Sequence, residues 1–198
     1  MDLAIVRALW PMPPYRTPPY RTQSPQPPPT ASVLFMHRTP RQAARIAIIA
    51  HDDAVFLLQH DDDEIGVHWA TPGGGLNPGE TPAEGALREL REETGWTDLA
   101  LGPLLCTLER DYTRNGVPVR QYEHIFITRG PRREPLGNLT AMHAADGILT
   151  WHWWTPDELA ATREYLLPPQ LPALLAPLRH GVPLSPTPAH LGYIPNRT

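Results

Sequence analysis

The 198-residue sequence contains no lysine, so all 17 of its basic side chains are arginines. A Schiff-base enzyme needs a lysine amine, and a Walker A loop needs a lysine that contacts the nucleotide phosphates. The single cysteine, Cys106, can form neither an internal disulfide nor a zinc site built from several cysteines. The sequence therefore excludes pyridoxal-phosphate catalysis and P-loop phosphoryl transfer.

Long apolar segments are also absent. No window approaches the roughly 18 apolar residues that a membrane-spanning helix needs. The N-terminal apolar stretch, residues 3–10, is interrupted by Arg7 and is too short for the apolar region of a secretory signal. We therefore expect a soluble, cytoplasmic protein that does not act on a membrane.

Acidic side chains dominate the chain after residue 45. Residues 1–45 carry six Arg and one Asp, a net charge of +5, whereas the remainder carries eleven Arg and twenty acids, a net charge of −9. Proteins that bind nucleic-acid polymers use basic surfaces to neutralise the phosphates. The acidic body therefore argues against a nucleic-acid polymer as the main partner.

Proline is concentrated at the two ends of the chain. Ten of the 26 prolines lie in residues 1–40 and eight in residues 168–198. Because proline removes a backbone donor, helices and central strands contain few prolines. We therefore predict a leader over residues 1–40, one folded domain over 41–180 and a proline-rich tail over 181–198.

The leader contains a repeat of the sequence PPYRT, at residues 13–17 and 18–22. This composition is typical of polyproline helix or disordered chain, with a ligand for a proline-recognition module as the alternative. Met1 and Met36 both stay open as the start of translation.

Short apolar runs rich in β-branched residues predict the strands of the domain. Asn115-Gly116 is a turn signal between two of these runs. Thr155, Pro156 and Glu158 form a capping pattern that predicts the start of a helix, and a last amphipathic helix is predicted over 170–178. The predicted strands span residues 46–50, 55–59, 68–71, 104–109, 117–128 and 148–154.

The segment from Gly73 to Trp96 predicts a glycine-rich loop followed by a well-delimited helix. Thr81 is a capping residue, Pro82 suits the first turn, and Glu84 completes a capping box. Gly95 is the expected stop.

Three carboxylates of this helix, those of Glu89, Glu92 and Glu93, share one arc of about 100° at helical spacing. Like charges at this spacing repel one another, so a cation should lie nearby. Arg88 and Arg91 offer ordinary ion pairs, and a divalent cation such as Mg²⁺ is the functional alternative. The flexible glycine loop favours a divalent cation, because its backbone can approach the carboxylates closely.

These residues resemble the complete signature of the Nudix hydrolases. The pattern runs from Gly74 through Glu80 to the sequence RELREETGW, and it fixes eight positions within 23 residues. The resemblance implies an α/β fold, an α/β/α sandwich with a mixed β-sheet. It also implies a Mg²⁺- or Mn²⁺-dependent pyrophosphohydrolase whose substrate is a nucleoside diphosphate linked to another moiety. Nucleoside triphosphates, dinucleoside polyphosphates and ADP-ribose-type compounds are the substrate classes in question.

The resemblance assigns roles to individual positions. It implies that Glu89, Glu92 and Glu93 are metal ligands, that the Gly73 carbonyl is another, and that Arg88 orients a neighbouring glutamate. Glu80 has a more peripheral role.

The general base stays open. Glu93 and Glu89 are candidates within the signature, and Glu123, on a strand expected to border the site, is the candidate outside it.

The substrate-binding residues follow less directly. Gly74 and Gly75 of the loop are expected to face the substrate, and Trp69 and Tyr112 are candidates for stacking on a base. Tyr112 lies 16 residues beyond Trp96, a separation that resembles dinucleoside polyphosphate hydrolases.

The main alternative function is a Nudix-fold module that senses a nucleotide without hydrolysing it, although the intact signature favours an enzyme. A second alternative is an isomerase, or a hydrolase of non-nucleotide diphosphates, on the same fold. The expected partner is a small nucleotide, and a homodimer stays open as the assembly state.

Overall fold

The computed structural model describes residues 38–114, 116–137, 143, 146–180 and 185–196. Within them one mixed sheet is flanked by helices. Its strands are β1 (Thr39–Ile49), β2 (Val55–Asp62), β3 (Gly66–Ala70), β4 (Gly73–Gly75), β5 (Leu104–Arg114), β6 (Val117–Arg129), β7 (Ile148–Trp154), β8 (Leu166–Leu167) and β9 (Ala189–Tyr193). The helices are α1 (Pro82–Thr94), α2 (Pro156–Ala161) and α3 (Leu171–Leu175), and a 3₁₀ turn spans Ala176–His180.

The strand order of the sheet is β8-β3-β2-β1-β6-β5-β9, with β4 paired to β1 and β7 paired to β2. The two central strands, β1 and β6, run parallel from the pair Thr39 and Val119 to the pair Ile49 and Arg129. The pairs β1–β2, β2–β3 and β5–β6 are antiparallel. The sheet is therefore mixed, as the sequence predicted.

The alternation of side chains along β1 divides the core into two layers. Ile46 and Ile48 pack with Leu90 of α1 in one apolar cluster. Ala47 and Ile49 belong to the opposite cluster, which includes Leu159 of α2 and Leu171 and Leu175 of α3. Helices cover both faces of the sheet, and the predicted α/β/α arrangement is confirmed.

Helix α1 begins and ends as predicted. The Thr81 hydroxyl accepts the Glu84 N–H, the Glu84 carboxylate accepts the Thr81 N–H, and Pro82 occupies the first turn. Gly95 ends the helix in the left-handed conformation, with φ at 72°, and its N–H donates to the Arg91 carbonyl. These local signals hold α1 in register beside β1 and β4.

Strand β1 is longer than the predicted strand over 46–50. Its first half, residues 39–45, has no large apolar side chain and is held by backbone pairing with β6 and, at residues 43–45, with β4. Arg41 and Arg45 share the face of Ala47 and Ile49, so this face changes from apolar to cationic toward the beginning of the strand. That end of the sheet holds the candidate site.

The C-terminal segment differs from its prediction as a tail beyond the domain. Strand β9 pairs with β5 in parallel, and the Ile194 N–H donates to the Glu109 carbonyl at 2.7 Å. Ile194 is buried in the same cluster as Leu108. The prolines flank β9 instead of interrupting it, so proline content alone misplaced this segment.

The leader prediction, apart from residues 38–40, lies outside the described residues, as do residues 181–184 and 197–198 of the predicted tail. In the described part of the chain, each helix is too short or too polar to cross a bilayer.

Burial of Ile194 predicts that β9 stabilises the domain. Replacing Ile194 with Ala should lower the free energy of unfolding by about 2–4 kcal/mol, because the truncation leaves a cavity in the core. The matched Leu149→Ala variant, at an exposed position on β7, should cost about 0.5 kcal/mol or less. Chemical denaturation measures both, and equal effects would contradict the docking of β9.

Candidate active site

The glycine strand β4 lets helix α1 approach the sheet. A side chain at Gly74 would meet the Glu89 carboxylate, since an ideal Cβ there lies 2.5 Å from Glu89 Oε1. Gly73 has a φ of 147° and lies against the backbone of Arg45, where a Cβ would also overlap. Gly73 therefore needs glycine, whereas a side chain at Gly74 would displace the Glu89 carboxylate from its position over the strand.

Arg88 organises the carboxylates at the outer side of α1. Its Nε donates to Glu80 Oε1 at 2.8 Å, and its Nη1 donates to Glu89 Oε1 and to Glu92 Oε2, each at 2.8 Å. Its Nη2 donates to the Gly75 carbonyl at 2.9 Å. The hydrogen bonds to Glu80 and then to the other carboxylates raise the pKa of Arg88 above its ordinary value. Arg88 thus joins the helix to β4 and fixes the orientation of Glu89.

Glu93 is the most deeply buried acid of α1, with 3% of its surface exposed. One carboxylate oxygen accepts the Gly73 N–H at 2.7 Å. Burial, and next the nearby charge of Glu89, raise the pKa of Glu93 to about 8, against the opposing influence of Arg45 and the Gly73 N–H. Burial also raises the pKa of Glu89, although Arg88 opposes that shift. Two acids thus share a site in which both negative charges are costly.

This donor set suits a hard divalent cation. Carboxylate oxygens are the ligands that Mg²⁺ prefers, and a cation would offset the repulsion between Glu89 and Glu93. Among the described residues, however, no three acidic, His or Cys side chains form a ready-made metal site. Arg88 Nη1 bridges Glu89 and Glu92, so these ion pairs must rearrange before the carboxylates can converge on one ion.

The carboxylates form one wall of an open polar cleft of about 420 Å³. The glycines of β4 line the same cleft, as do arginines of β1 and β5, which we call the basic wall. Acidic and basic walls that face one cleft suit a ligand that carries both phosphates and bound cations. The lining residues include Gly73, Gly74, Gly75, Glu89, Glu92 and Glu93, with Arg41, Arg45, Arg110 and Arg114, and with Tyr112 and Gln121.

Glu123 has a structural environment that does not suit a general base. Its carboxylate is 1% exposed and accepts Arg45 Nε at 2.8 Å and Arg110 Nε at 2.6 Å. Burial by itself would raise its pKa, but the charges of Arg45 and Arg110 outweigh burial and lower the pKa to about 2. An acid held so strongly in its ionised form is a weak proton acceptor. The structure therefore favours an anchoring role for Glu123 instead of the expected catalytic one.

Trp69 lies away from the cleft. Its side chain is buried in the cluster on the α2 and α3 side of the sheet, with its ring edge-on to Trp154 at 5.1 Å between centroids. Its indole N–H donates to the Glu164 carboxylate. The expected stacking role of Trp69 is therefore corrected to a core role, since β3 turns this side chain inward.

Tyr112 does line the cleft, but its ring is engaged. The Arg110 guanidinium lies 4.8 Å from the ring centroid. The Tyr112 hydroxyl donates to Gln121 Oε1 at 2.8 Å and accepts from Arg41 Nη1 at 2.6 Å. These contacts favour the positioning of Arg41 over the expected stacking on a base.

The sequence did not identify the arginines of the basic wall or Gln121 as residues of the site. The alternation of side chains along a strand could have identified them. Arg45 and Arg110 occupy positions of β1 and β5 whose neighbours on the same face are buried and apolar. A charge at such a position needs a buried partner or a ligand. Applied to β6, the same reasoning singles out Gln121 and Glu123 as partners.

The chain matches the model of a known protein family. The family model of the NUDIX domain matches residues 39–175, which include α1, β4 and the basic wall. The chain belongs to the Nudix family. The predictions of a Nudix hydrolase and of its α/β fold are thereby confirmed.

Two curated relatives are similar in sequence. An RNA pyrophosphohydrolase from Erythrobacter litoralis is 30% identical over 137 residues, 60% of this chain and 78% of the relative. An uncharacterized Nudix hydrolase from Rhodococcus erythropolis is 36% identical over 102 residues, 48% of this chain and 50% of the relative.

Solved structures share the fold. A MutT protein from Methanosarcina mazei aligns with a TM-score of 0.55 at 16% identity, over 73% of this chain and 96% of that one. A MutT Nudix hydrolase from Burkholderia pseudomallei aligns with a TM-score of 0.51 at 21% identity, over 70% and 98% of the two chains. Identities this low establish the fold alone.

The buried ion pairs of Glu123 predict that this residue stabilises the fold. Replacing Glu123 with Gln should lower the free energy of unfolding at neutral pH by about 3–5 kcal/mol, because Arg45 and Arg110 lose their buried counter-charge. The matched Glu134→Gln variant, at an exposed position, should be close to neutral.

The lowered pKa of Glu123 also sets the pH range over which its ion pairs stabilise the fold. The folded-state pKa of about 2 lies below the ordinary value of 4.5, so the stabilisation is fully present above pH 4.5 and is lost as the pH falls toward 2. Denaturant titrations across this range should show a smaller acid-induced loss in Glu123→Gln than in the unsubstituted protein. Parallel curves for the two proteins would contradict the pairing.

Proposed function

We propose that the protein is a Mg²⁺- or Mn²⁺-dependent pyrophosphohydrolase that cleaves the diphosphate bond of a nucleoside diphosphate linked to another moiety. The observation that carries the proposal is the pair of buried acids, Glu89 and Glu93, beside the glycine strand of a cleft that arginines also line. This arrangement brings cation-binding and phosphate-binding groups together.

The helix carboxylates would hold the cation. We assign this role to Glu89, Glu92 and Glu93, with the Gly73 carbonyl as a further oxygen donor. When bound, a divalent cation neutralises diphosphate charge and lowers the pKa of a bound water. The hydrogen bond from Arg88 to Glu89 at 2.8 Å would be exchanged when a cation binds, whereas the bond from Arg88 to the Gly75 carbonyl would keep the helix and the glycine strand in register.

Glu89 and Glu93 are the two candidates for the general base. Burial raises the pKa of both acids, and a bound cation would oppose that rise and favour the ionised form that accepts a proton. Glu93 accepts the Gly73 N–H with one oxygen, so its second oxygen can accept a proton or contact a cation. Glu89 would gain a free oxygen once its hydrogen bond to Arg88 is exchanged.

The substrate panel should contain nucleoside triphosphates, dinucleoside polyphosphates, ADP-ribose and sugar nucleotides, each with Mg²⁺ and with product analysis. We expect metal-dependent cleavage of a diphosphate bond in at least one class. Absence of turnover across the panel, together with nucleotide binding, would favour the alternative of a nucleotide-sensing module.

The 5′-polyphosphate end of an RNA is a second candidate substrate. It is favoured by the similarity to the Erythrobacter litoralis protein, which is named as an RNA pyrophosphohydrolase. It conflicts with the expectation that a nucleic-acid polymer is not a partner, so a 5′-triphosphorylated oligonucleotide belongs in the panel. The cytoplasmic location and the homodimer stay predictions.

Substitution of the helix carboxylates tests the proposed metal site. Glu92→Gln and Glu93→Gln should each lower kcat by at least about 10²-fold, because each removes ligand charge. The matched control is Glu84→Gln on the same helix, where Gln can still close the capping box. Steady-state kinetics with circular dichroism measures activity and folding, and unchanged turnover in both variants would refute the metal assignment.

A further inference from the structure

Arg41 is a half-buried cation without a counter-charge among the described residues. Its Nη1 donates to the Tyr112 hydroxyl at 2.6 Å and to Gln121 Oε1, and both of these partners are neutral. Burial lowers the pKa of Arg41 below its ordinary value, which reflects the cost of holding the charge there. A half-buried guanidinium of this kind is poised for an anion.

The other deep arginines of the cleft each have a carboxylate partner. Arg45 and Arg110 share Glu123, and Arg88 pairs with Glu80, Glu89 and Glu92. Within the described chain, the arginines of the basic wall that have no carboxylate partner are therefore Arg41 and one neighbour.

That neighbour is Arg114, at the exposed end of β5. It lines the same cleft, and within the described part of the chain its side chain makes no ion pair. Arg114 lies close enough to Arg41 to act on it as a like charge. Two like charges at one end of a cleft are unfavourable unless a bound anion offsets them.

Arg41 is also held in a defined position. Its guanidinium lies against Gly75, where any side chain would overlap it, and Tyr112 and Gln121 hold it from the other side. Adjacent Gly74 faces Glu89 instead, because successive strand residues point to opposite sides. The Arg41 guanidinium and the Glu89 carboxylate thus lie against consecutive residues of β4, whose Cα atoms are about 3.8 Å apart.

We propose that Arg41 and Arg114 form a binding site for a phosphate group beyond the diphosphate that is cleaved, so that the enzyme selects substrates with three or more consecutive phosphates. This inference rests on the proposed function and narrows its substrate class. Nucleoside triphosphates, dinucleoside polyphosphates with at least three phosphates and RNA 5′-triphosphate ends satisfy it, whereas ADP-ribose does not. Arg41 is the specificity-determining residue, and Tyr112 and Gln121 position it.

The probes are imidotriphosphate and imidodiphosphate, inorganic analogues whose P–N–P bridges resist hydrolysis, each titrated calorimetrically with Mg²⁺ present. The unsubstituted protein should bind the three-phosphate probe at least about 10-fold more tightly than the two-phosphate probe, as a charge-assisted hydrogen bond allows. Arg41→Gln should reduce this ratio to about 3-fold or less. Arg114→Gln, at an exposed position where substitutions change stability little, should reduce it as well.

Arg163→Gln is the matched control, because Arg163 is exposed and lies outside the residues that line the cleft. It should leave the ratio of the two affinities unchanged, and thermal unfolding verifies that every variant is folded. A preference retained by both Arg41→Gln and Arg114→Gln, or an unsubstituted protein without a preference, would overturn the inference.

The two proposals can fail separately. Probe binding does not require turnover, so Arg41-dependent preference without hydrolysis of any nucleotide would overturn the proposed function and support the phosphate site. Metal-dependent hydrolysis that is equally efficient with ADP-ribose and with triphosphates, in both the unsubstituted protein and Arg41→Gln, would support the proposed function and overturn the phosphate site.

Discussion

The structure depends on the burial of two carboxylates of one helix against a strand made only of glycines. Glu89 and Glu93 repel each other and lose solvation, so the site is unfavourable without compensation. The Gly73 N–H and the Arg88 guanidinium supply that compensation within the protein. Because a side chain at Gly74 would overlap the Glu89 carboxylate, the position of this acid depends on the glycine strand.

The arginines divide into groups with different tasks. Arg45 and Arg110 are paired with Glu123 and stabilise the end of the sheet at which β1 begins. Arg88 orients the acids of α1, and Arg41 retains its charge beside the glycine strand. In a chain without lysine, this division lets one residue type build the core, position the acids and supply charge for a ligand.

Local signals made α1 predictable from the sequence. The Thr81 cap, the capping box and Gly95 act within one helical turn, and the spacing of the three glutamates follows from helix geometry. The strands were predictable where apolar runs formed them. The first half of β1 was not, because it has no large apolar side chain and pairs in parallel with the distant strand β6. The ion pair from Arg45 to Glu123 likewise joins residues 78 positions apart. Strand β9 likewise depends on a distant partner, β5.

The most direct test of the account is the position of a bound cation. A crystal structure with Mn²⁺ and a non-hydrolysable nucleotide, measured for anomalous scattering, should place at least one metal peak in contact with carboxylate oxygens of Glu89, Glu92 or Glu93. Hydrogen bonds from Arg88 to Glu89 or Glu92 should be exchanged for metal contacts. Metal peaks confined to other parts of the chain, with both hydrogen bonds intact beside bound nucleotide, would contradict the account.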